Sequence, residues 1–235
     1  MRKISRVIAG VAASAAMVTG AGALGGAASM ATAQAATGPV ALGGGSGIII
    51  TEQHSGEKFL CSLSAVGRDR NNNLIALTAG HCGKPGDKVA SEYFEDQGNI
   101  GTFTHSWESP DVAVIDLDDS KVTPLRTVGG TTINRIGTAP RFGEPVCKEG
   151  RSTGRTCAWA WGQDQNFIVE QTCAIGGDSG GPLVRGDELV GLISWGPEPW
   201  CNHPFPAPFH APDWSTNIAD AMNVINSQAE GFTLA

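Results

Sequence analysis

Residues 174–184 of the 235-residue chain read AIGGDSGGPLV. One acid and one hydroxyl, Asp178 and Ser179, lie between two pairs of glycines, and the stretch then becomes apolar. Glycine loses more conformational freedom on ordering than other residues do, so such a cluster indicates a tight turn or a close approach to another group. The stretch therefore predicts a sharp bend that presents Asp178 and Ser179.

Two other stretches carry groups that could activate this serine. LIALTAGHC at 74–82 ends beside His81, and SPDVAVIDL at 109–117 contains Asp111. A serine hydroxyl is a weak nucleophile that needs a neighbouring base, and histidine titrates in the suitable range. The imidazole in turn needs a fixed acceptor, such as a buried carboxylate. His81, Asp111 and Ser179 are therefore candidates for nucleophilic catalysis if the fold brings three separate loops together.

The rest of the chain is typical of short β-strands separated by turn residues. One helix is predicted from about 215 to 226, with Asp213 or Ser215 as its cap. The segment 196–212 contains six prolines and is predicted to be irregular. With no alternation of strands and helices, the pattern favours an all-β sandwich or barrel. The predicted strands are 47–53, 59–66, 74–78, 112–117, 167–170 and 189–195.

The first residues are typical of a secretory signal peptide. Three basic residues precede an uncharged run over 7–24, and an A-x-A motif ends at Ala35. Residues 1–35 are therefore predicted to be a signal peptide, and 36–47 a short glycine-rich leader. This interpretation predicts a secreted, extracellular protein.

Composition and cysteine content narrow the class further. The chain carries a formal net charge of −7 and no basic run, so nucleic acid and anionic membrane are poor candidate partners. All six cysteines follow the signal peptide, and an even number in an exported chain indicates disulfides. Their number alone leaves the pairing open. No C-x-x-C motif is present, and we expect neither a metal nor a cofactor.

TAGHC, DVAVIDL and GDSGGP, in that order, resemble the motifs of the chymotrypsin-like serine proteases of the trypsin superfamily. The similarity is greatest to the bacterial branch that includes streptogrisins and alpha-lytic protease. This resemblance implies two six-stranded antiparallel β-barrels with a C-terminal α-helix, over 48–235 and divided near 120–135. It also implies a serine endopeptidase with His81 as general base, Asp111 as its orienting carboxylate and Ser179 as nucleophile.

The same resemblance implies supporting roles. The amides of Gly177 and Ser179 would form the oxyanion hole, and Lys148 would pair with Asp178 so that no zymogen cleavage is needed. The residues implied to bind substrate are Ala174, Ser194, Trp195 and Gly196. The implied disulfides are Cys61–Cys82, Cys147–Cys157 and Cys173–Cys201.

Fewer residues of the sequence bear on substrate preference. Trypsin-like members carry an aspartate six residues before the nucleophile, and this chain has Cys173 there, so we expect an apolar P1 residue and not Lys or Arg. Ser194 is expected to bond to Asp111, and Gly196 to leave the pocket open. His203 could instead recognise an acidic P1 residue. The expected partners are protein or peptide substrates, and the expected state is a monomer.

Two alternatives stay open at this point. Residues 177–181 also satisfy G-x-S-x-G, the nucleophile elbow of α/β-hydrolases, with Asp187 and then His203 or His210 as partners. That interpretation needs a helix directly after the serine, whereas the glycines and Pro182 that follow predict a hairpin. The other alternative is a secreted protease-fold protein that binds a partner without cleaving it.

Overall fold

The structure, a computed structural model, describes residues 38–196 and 211–235. Strands make up most of the ordered elements in these ranges, and one α-helix lies near the C-terminus. The first strands are β1 (Val40–Gly43), β2 (Gly47–Thr51), β3 (Lys58–Ser62), β4 (Ala65–Arg68), β5 (Leu74–Thr78), β6 (Lys88–Ser91), β7 (Gly101–Glu108), β8 (Asp111–Leu117), β9 (Val122–Leu125), β10 (Thr127–Val128), β11 (Thr131–Thr132) and β12 (Arg135–Ile136). The later elements are β13 (Pro145–Gly150), β14 (Gly154–Asp164), β15 (Phe167–Glu170), β16 (Pro182–Arg185), β17 (Glu188–Trp195), β18 (Asp213–Asn217), α1 (Ile218–Gln228) and β19 (Thr233–Leu234), with short 3-10 turns at Gly80–Cys82 and Glu95–Gln97.

The N-terminal half is an antiparallel sheet with the strand order β19-β4-β5-β8-β7-β6-β2-β3. β3 and β4, near opposite ends of this order, are separated in the chain only by residues 63–64. The sheet therefore curls so that its two ends come together where the chain bends at residues 63–64. Fully buried apolar side chains such as Ile48, Leu77 and Ile115 fill its interior, and burying them is the main favourable term in forming the sheet.

The C-terminal half is a closed six-stranded barrel. Its order is β17-β16-β13-β14-β15-β18, and β18 pairs again with β17 to complete the ring. A smaller apolar cluster fills it, including Val146, Ile168 and Leu183. The predicted chymotrypsin-like two-barrel fold with one C-terminal helix is confirmed.

The helix prediction was wrong at its start. Residues 213–217 form β18, which pairs with both β15 and β17, so this backbone is part of the barrel. The helix begins at Ile218, and the side chain of Asn217 caps it by accepting a hydrogen bond from Ala219 N at 3.0 Å. Asp213 and Ser215, the predicted caps, are buried in the barrel instead.

The predicted boundary of the folded domain also needs correction. Residues 40–43, assigned above to a leader, form β1, which pairs in parallel with β9. Val40 and Leu42 are buried in the main core, so apolar burial fixes this segment on the N-terminal half. The chain then passes from one half to the other between β8 and β13.

Two of the predicted disulfides are confirmed. Cys61 bonds to Cys82, and Cys147 bonds to Cys157. The third predicted pair, Cys173–Cys201, includes a residue outside the described ranges. Within those ranges, no helix is long and apolar enough to cross a membrane.

Candidate active site

His81 lies directly after a buried strand. Every residue of β5 is buried, and the chain continues into the Gly80–Cys82 turn, where a disulfide ties Cys82 to Cys61 in β3. The turn is therefore held from both sides. The side chain of His81 stays 41% exposed and can reach a substrate.

Asp111 is brought to His81 by strand pairing. It is the first residue of β8, which pairs with β5, so both residues lie at the same end of the sheet. Asp111 Oδ1 accepts the backbone N–H of His81 at 2.8 Å, and Oδ2 lies 2.8 Å from His81 Nδ1. Because an ionised carboxylate only accepts hydrogen bonds, Nδ1 carries the proton and Nε2 is left as the basic nitrogen.

Two residues of the C-terminal half donate hydrogen bonds to Asp111. Ser194 Oγ donates to Oδ2, and Thr216 Oγ1 donates to the backbone carbonyl of Asp111 at 3.0 Å. Burial alone would raise the pKa of Asp111, but hydrogen bonds from His81 and Ser194 outweigh it, so the pKa lies below its ordinary value. Asp111 is therefore ionised at neutral pH, as required to stabilise a protonated imidazole.

Ser179 lies in the loop between β15 and β16, beside the histidine turn. Its carbonyl oxygen accepts a hydrogen bond from Ser62 N at 2.8 Å and lies 3.8 Å from the Sγ atom of Cys82. Cys82 directly follows His81, so the fold brings the serine loop to the His81–Asp111 pair. Among the described residues the Ser179 hydroxyl makes no hydrogen bond, and such contacts often tighten only when substrate binds.

Two amides in the bend around Ser179 have no acceptor among the described residues. Gly177 has a φ of +101°, a conformation that favours glycine, and its carbonyl accepts a hydrogen bond from Ser62 Oγ at 2.9 Å. The N–H groups of Gly177 and Ser179 donate to no acceptor in the described part of the chain. The neighbouring amides are satisfied: Asp178 donates to Ile175, Gly180 to Ile193 and Gly181 to Asp178. Two unsatisfied donors therefore lie on either side of Asp178, as an anion site requires.

Asp178 anchors this loop inside the barrel. Its side chain and that of Lys148 are both fully buried, and Lys148 Nζ lies 3.3 Å from Asp178 Oδ2. Burial lowers the pKa of Lys148, and the attraction of Asp178 opposes that shift. The other donors to the Asp178 carboxylate are Ser152 N at 2.8 Å, Thr153 N at 3.1 Å, Thr153 Oγ1 at 2.6 Å and Ile175 N at 3.0 Å. The pairing expected from the resemblance is thus formed.

The residues expected to bind substrate flank the same loop. Trp195 is 53% exposed, and its ring stacks on Trp214 with the centroids 4.2 Å apart. Ala174 and Gly196 both contact the side chain of Asp213. Ala174 N donates to Asp213 Oδ2 at 3.0 Å, and a Cβ atom on Gly196 would overlap Asp213 Oδ1.

Sequence reasoning missed two residues of this region. Ser62 holds the Gly177 carbonyl and also accepts a hydrogen bond from Arg151 N at 3.0 Å. Asp213 was interpreted as a helix cap, because an aspartate close before a helical pattern commonly is one. Neither has a local signal, since both act on residues far away in the chain.

The chain has the chymotrypsin-like two-barrel fold, and it places His81, Asp111 and the Ser179 loop close together. A family model for the trypsin-like peptidase domain matches residues 45–192, and the chain belongs to that family. It is 30% identical over 135 residues to serine protease 1 of Rarobacter faecitabidus, a match that covers 50% of this chain and 26% of that protein. It is 28% identical over 142 residues to an uncharacterized protein of Mycobacterium tuberculosis, covering 52% of this chain and 64% of the other. The chain thus spans less than two thirds of the length of these relatives.

Solved structures support the same fold. The crystal structure of Nocardiopsis protease (NAPase) superposes with a TM-score of 0.64 at 24% identity, over 80% of this chain and 97% of the other. The α/β-hydrolase alternative fails on the fold, because β16 and β17 follow Ser179 as a hairpin where that fold needs a helix. Asp187 lies in the hairpin turn and pairs with Arg135. His203 and His210 lie outside the described residues.

Proposed function

We propose that the protein is a serine endopeptidase that cleaves peptide bonds through an acyl-enzyme. Ser179 Oγ attacks the substrate carbonyl carbon while His81 Nε2 takes the hydroxyl proton, and a tetrahedral oxyanion forms. The C–N bond then breaks, His81 gives the proton to the leaving amine, and the acyl group stays on Ser179. Water, activated by His81 in the same way, releases the acyl group and restores the serine.

The observation that carries this proposal is the double contact between His81 and Asp111. One carboxylate holds both the backbone N–H and the ring Nδ1 of His81, so the ring cannot turn away and its tautomer is fixed. A histidine held this way, next to a serine in a bend rich in free amides, is prepared to act as a base.

The free amides of Gly177 and Ser179 support a role as the oxyanion hole. Both donors lie in a loop fixed by buried contacts, so they need little rearrangement when charge develops on the carbonyl oxygen. Removing one donor of this kind typically costs about 2.7–4 kcal/mol of transition-state stabilisation.

We infer that this loop assembles without proteolytic activation. Lys148 supplies a buried positive charge to Asp178, the role that a newly cleaved N-terminal amine would otherwise have to fill. The hydrogen bonds from Thr153 and Ile175 add to that restraint.

We further infer that the protein is secreted. The charged, apolar and small-residue segments of 1–35 follow the order of a signal peptide. The confirmed disulfides Cys61–Cys82 and Cys147–Cys157 are consistent with an oxidising compartment.

Pre-steady-state hydrolysis of an activated ester, followed by digestion of unfolded casein, tests the proposed activity. We expect a burst of one equivalent of leaving group per protein, then peptide products from casein. Ser179→Ala should show neither. Casein cleavage unchanged in Ser179→Ala would contradict the mechanism, and no cleavage at all by correctly folded protein would favour the binding-protein alternative.

A further inference from the structure

Asp213 is a buried acid with no ion-pair partner among the described residues. Its side chain starts β18 and is 2% exposed. Oδ2 accepts one hydrogen bond, from Ala174 N at 3.0 Å. Oδ1 has no donor among the described residues and lies where a Cβ atom on Gly196 would be. The carboxyl group thus lies between the segments that contain Ala174 and Gly196, with one oxygen uncommitted.

These two segments lead directly to the proposed catalytic centre. Ala174 is in the loop that reaches Ser179 five residues later, and Gly196 follows Ser194, which bonds to Asp111. We therefore expect the P1 side chain of a substrate bound at Ser179 to lie close to these two segments. Because Gly196 has no side chain, the Asp213 carboxyl group occupies the space beside it, where a Cβ would overlap Oδ1. Asp213 is therefore a polar group placed to meet the P1 residue.

The described charged groups that act on Asp213 include two acids, Glu170 and Asp178, and one lysine, Lys148. Glu170 lies opposite Asp213 in the β15–β18 pairing and is fully buried. It accepts hydrogen bonds from Thr172 N and from Ser215 Oγ. Lys148, the buried cation of the region, contacts Asp178 at 3.3 Å. Two acids on neighbouring strands thus face a region whose lysine is already engaged.

This arrangement affects the protonation of Asp213. Burial, reinforced by the negative charge of Glu170, raises the pKa of Asp213 to about 8 in the free protein, although the Ala174 amide and Lys148 act in the opposite direction. A cation held beside the carboxyl group would favour its ionised form and satisfy the uncommitted oxygen.

We propose that Asp213 is a specificity-determining residue that selects lysine or arginine at P1. The proposal rests on the proposed protease function and revises the expectation of an apolar P1 residue. That expectation considered only the position of Cys173, whereas Asp213 brings a carboxyl group to the pocket from β18.

The test compares kcat/KM for two peptide substrates that differ only at P1, one with lysine and one with the uncharged, equally long norleucine. We expect wild-type protein to prefer lysine at pH 9, and Asp213→Asn to lose about 10- to 100-fold of that preference, the usual range for a charge-assisted hydrogen bond. The ratio of the two kcat/KM values should rise with pH through about 8, as Asp213 ionises. Any effect of pH on a step that both substrates share cancels in the ratio.

Glu170→Gln is the matched control, since it removes a buried acid from the neighbouring strand. It should keep the lysine preference and move the rise in the ratio to lower pH, because the repulsion that helps to raise the pKa of Asp213 is gone. Labelling of Ser179 with a fluorophosphonate counts competent sites in every variant. The wild-type pH profile tests the proposal even if Asp213→Asn does not fold.

Two results would overturn the assignment while leaving the protease function intact. One is a wild-type protein that labels at Ser179 and prefers norleucine, or an acidic P1 residue, at every pH. The other is a lysine preference that Asp213→Asn retains. Failure of the protease function itself looks different, because neither substrate would then be cleaved.

Discussion

Asp111 and Asp213 both carry buried carboxyl groups, with 6% of Asp111 and 2% of Asp213 exposed. Asp111 receives hydrogen bonds from the backbone and ring of His81 and from Ser194, and its pKa is lowered in spite of burial. Within the described ranges, Asp213 receives a hydrogen bond from one backbone N–H and faces another acid, and its pKa is raised to about 8. Burial is the largest influence on both, yet the number of donors decides the charge.

This difference matches the roles proposed for the two residues, orientation of His81 by Asp111 and recognition of the P1 residue by Asp213. A carboxylate that orients a catalytic histidine must stay ionised throughout the reaction, so it needs donors supplied by the protein. A carboxyl group that recognises a cationic side chain needs an uncommitted oxygen, which the substrate then satisfies. Variants that change one carboxyl group or its partners at a time separate these two roles.

The largest effect should come from Asp111→Asn. An amide at this position can no longer fix the tautomer of His81, so we expect kcat to fall by about ten-thousand-fold. Casein or ester hydrolysis by active-site-titrated protein measures the loss. Asp116→Asn, at an exposed position in the same strand, should behave like wild type. A loss of less than tenfold in Asp111→Asn would contradict the role of Asp111.

Lys148→Met tests the support of the serine loop. The substitution leaves Asp178 buried without its cation, so we expect the free energy of unfolding to fall by about 3–5 kcal/mol and activity to fall with it. Urea denaturation measures the first effect. Lys88→Met, at an exposed lysine of β6, provides the control. Undiminished activity in Lys148→Met would rule out the idea that this pair replaces proteolytic activation.

The two acids should affect stability in opposite directions as pH changes. Asp213 binds its proton more tightly in the folded state, so its stabilising contribution is greatest below the unfolded pKa of about 4 and is lost as pH rises toward about 8. The loss amounts to about 1.4 kcal/mol per pH unit at most. Asp213→Asn should therefore be more stable relative to wild type at pH 8 than at pH 5, as measured by urea unfolding.

Asp111 should show the reverse. Its folded pKa is lowered, so its contribution is present above the unfolded pKa and is lost as pH falls through the folded value. Asp111→Asn should thus differ from wild type by less at pH 2 than at pH 6. Equal pH slopes for the Asp111 and Asp213 variants would show that donors do not distinguish these carboxyl groups.

The smallest effect should come from Ser194→Ala. The change removes one donor from Asp111 but leaves both contacts from His81 in place, so we expect kcat to fall by about tenfold. Ser120→Ala is the matched control, because it removes a serine donor from the exposed Asp118. A loss as large as that of Asp111→Asn would mean that Ser194, and not the histidine contact, sets the charge of Asp111.

The sequence predicted the parts of this site that are local. Strands β5 and β15 have the bounds read from their apolar runs, and the glycines around Ser179 indicated the bend. The chemistry of serine activation then required a histidine and an acid, and the motif order supplied both. The start of α1 was misplaced because β18 is determined by pairing with β15 and β17, which a helical pattern nearby does not reveal.

Asp213 shows why other parts of the site could not be predicted from the sequence. Its hydrogen-bond donor, Ala174, is distant in sequence, and the acid that faces it comes from another strand. No spacing rule links these residues. Only the closed barrel brings them together, and the pKa of Asp213 follows from that arrangement.

Labelling of the purified protein with a fluorophosphonate probe, alongside Ser179→Ala and His81→Ala, tests the central claim most directly. We predict rapid labelling of wild type at one site, no labelling of Ser179→Ala, and a severe loss of rate in His81→Ala. Labelling that persists at the wild-type rate in His81→Ala would contradict the assignment of His81 as the base. Absence of labelling in folded wild-type protein would contradict an activated Ser179.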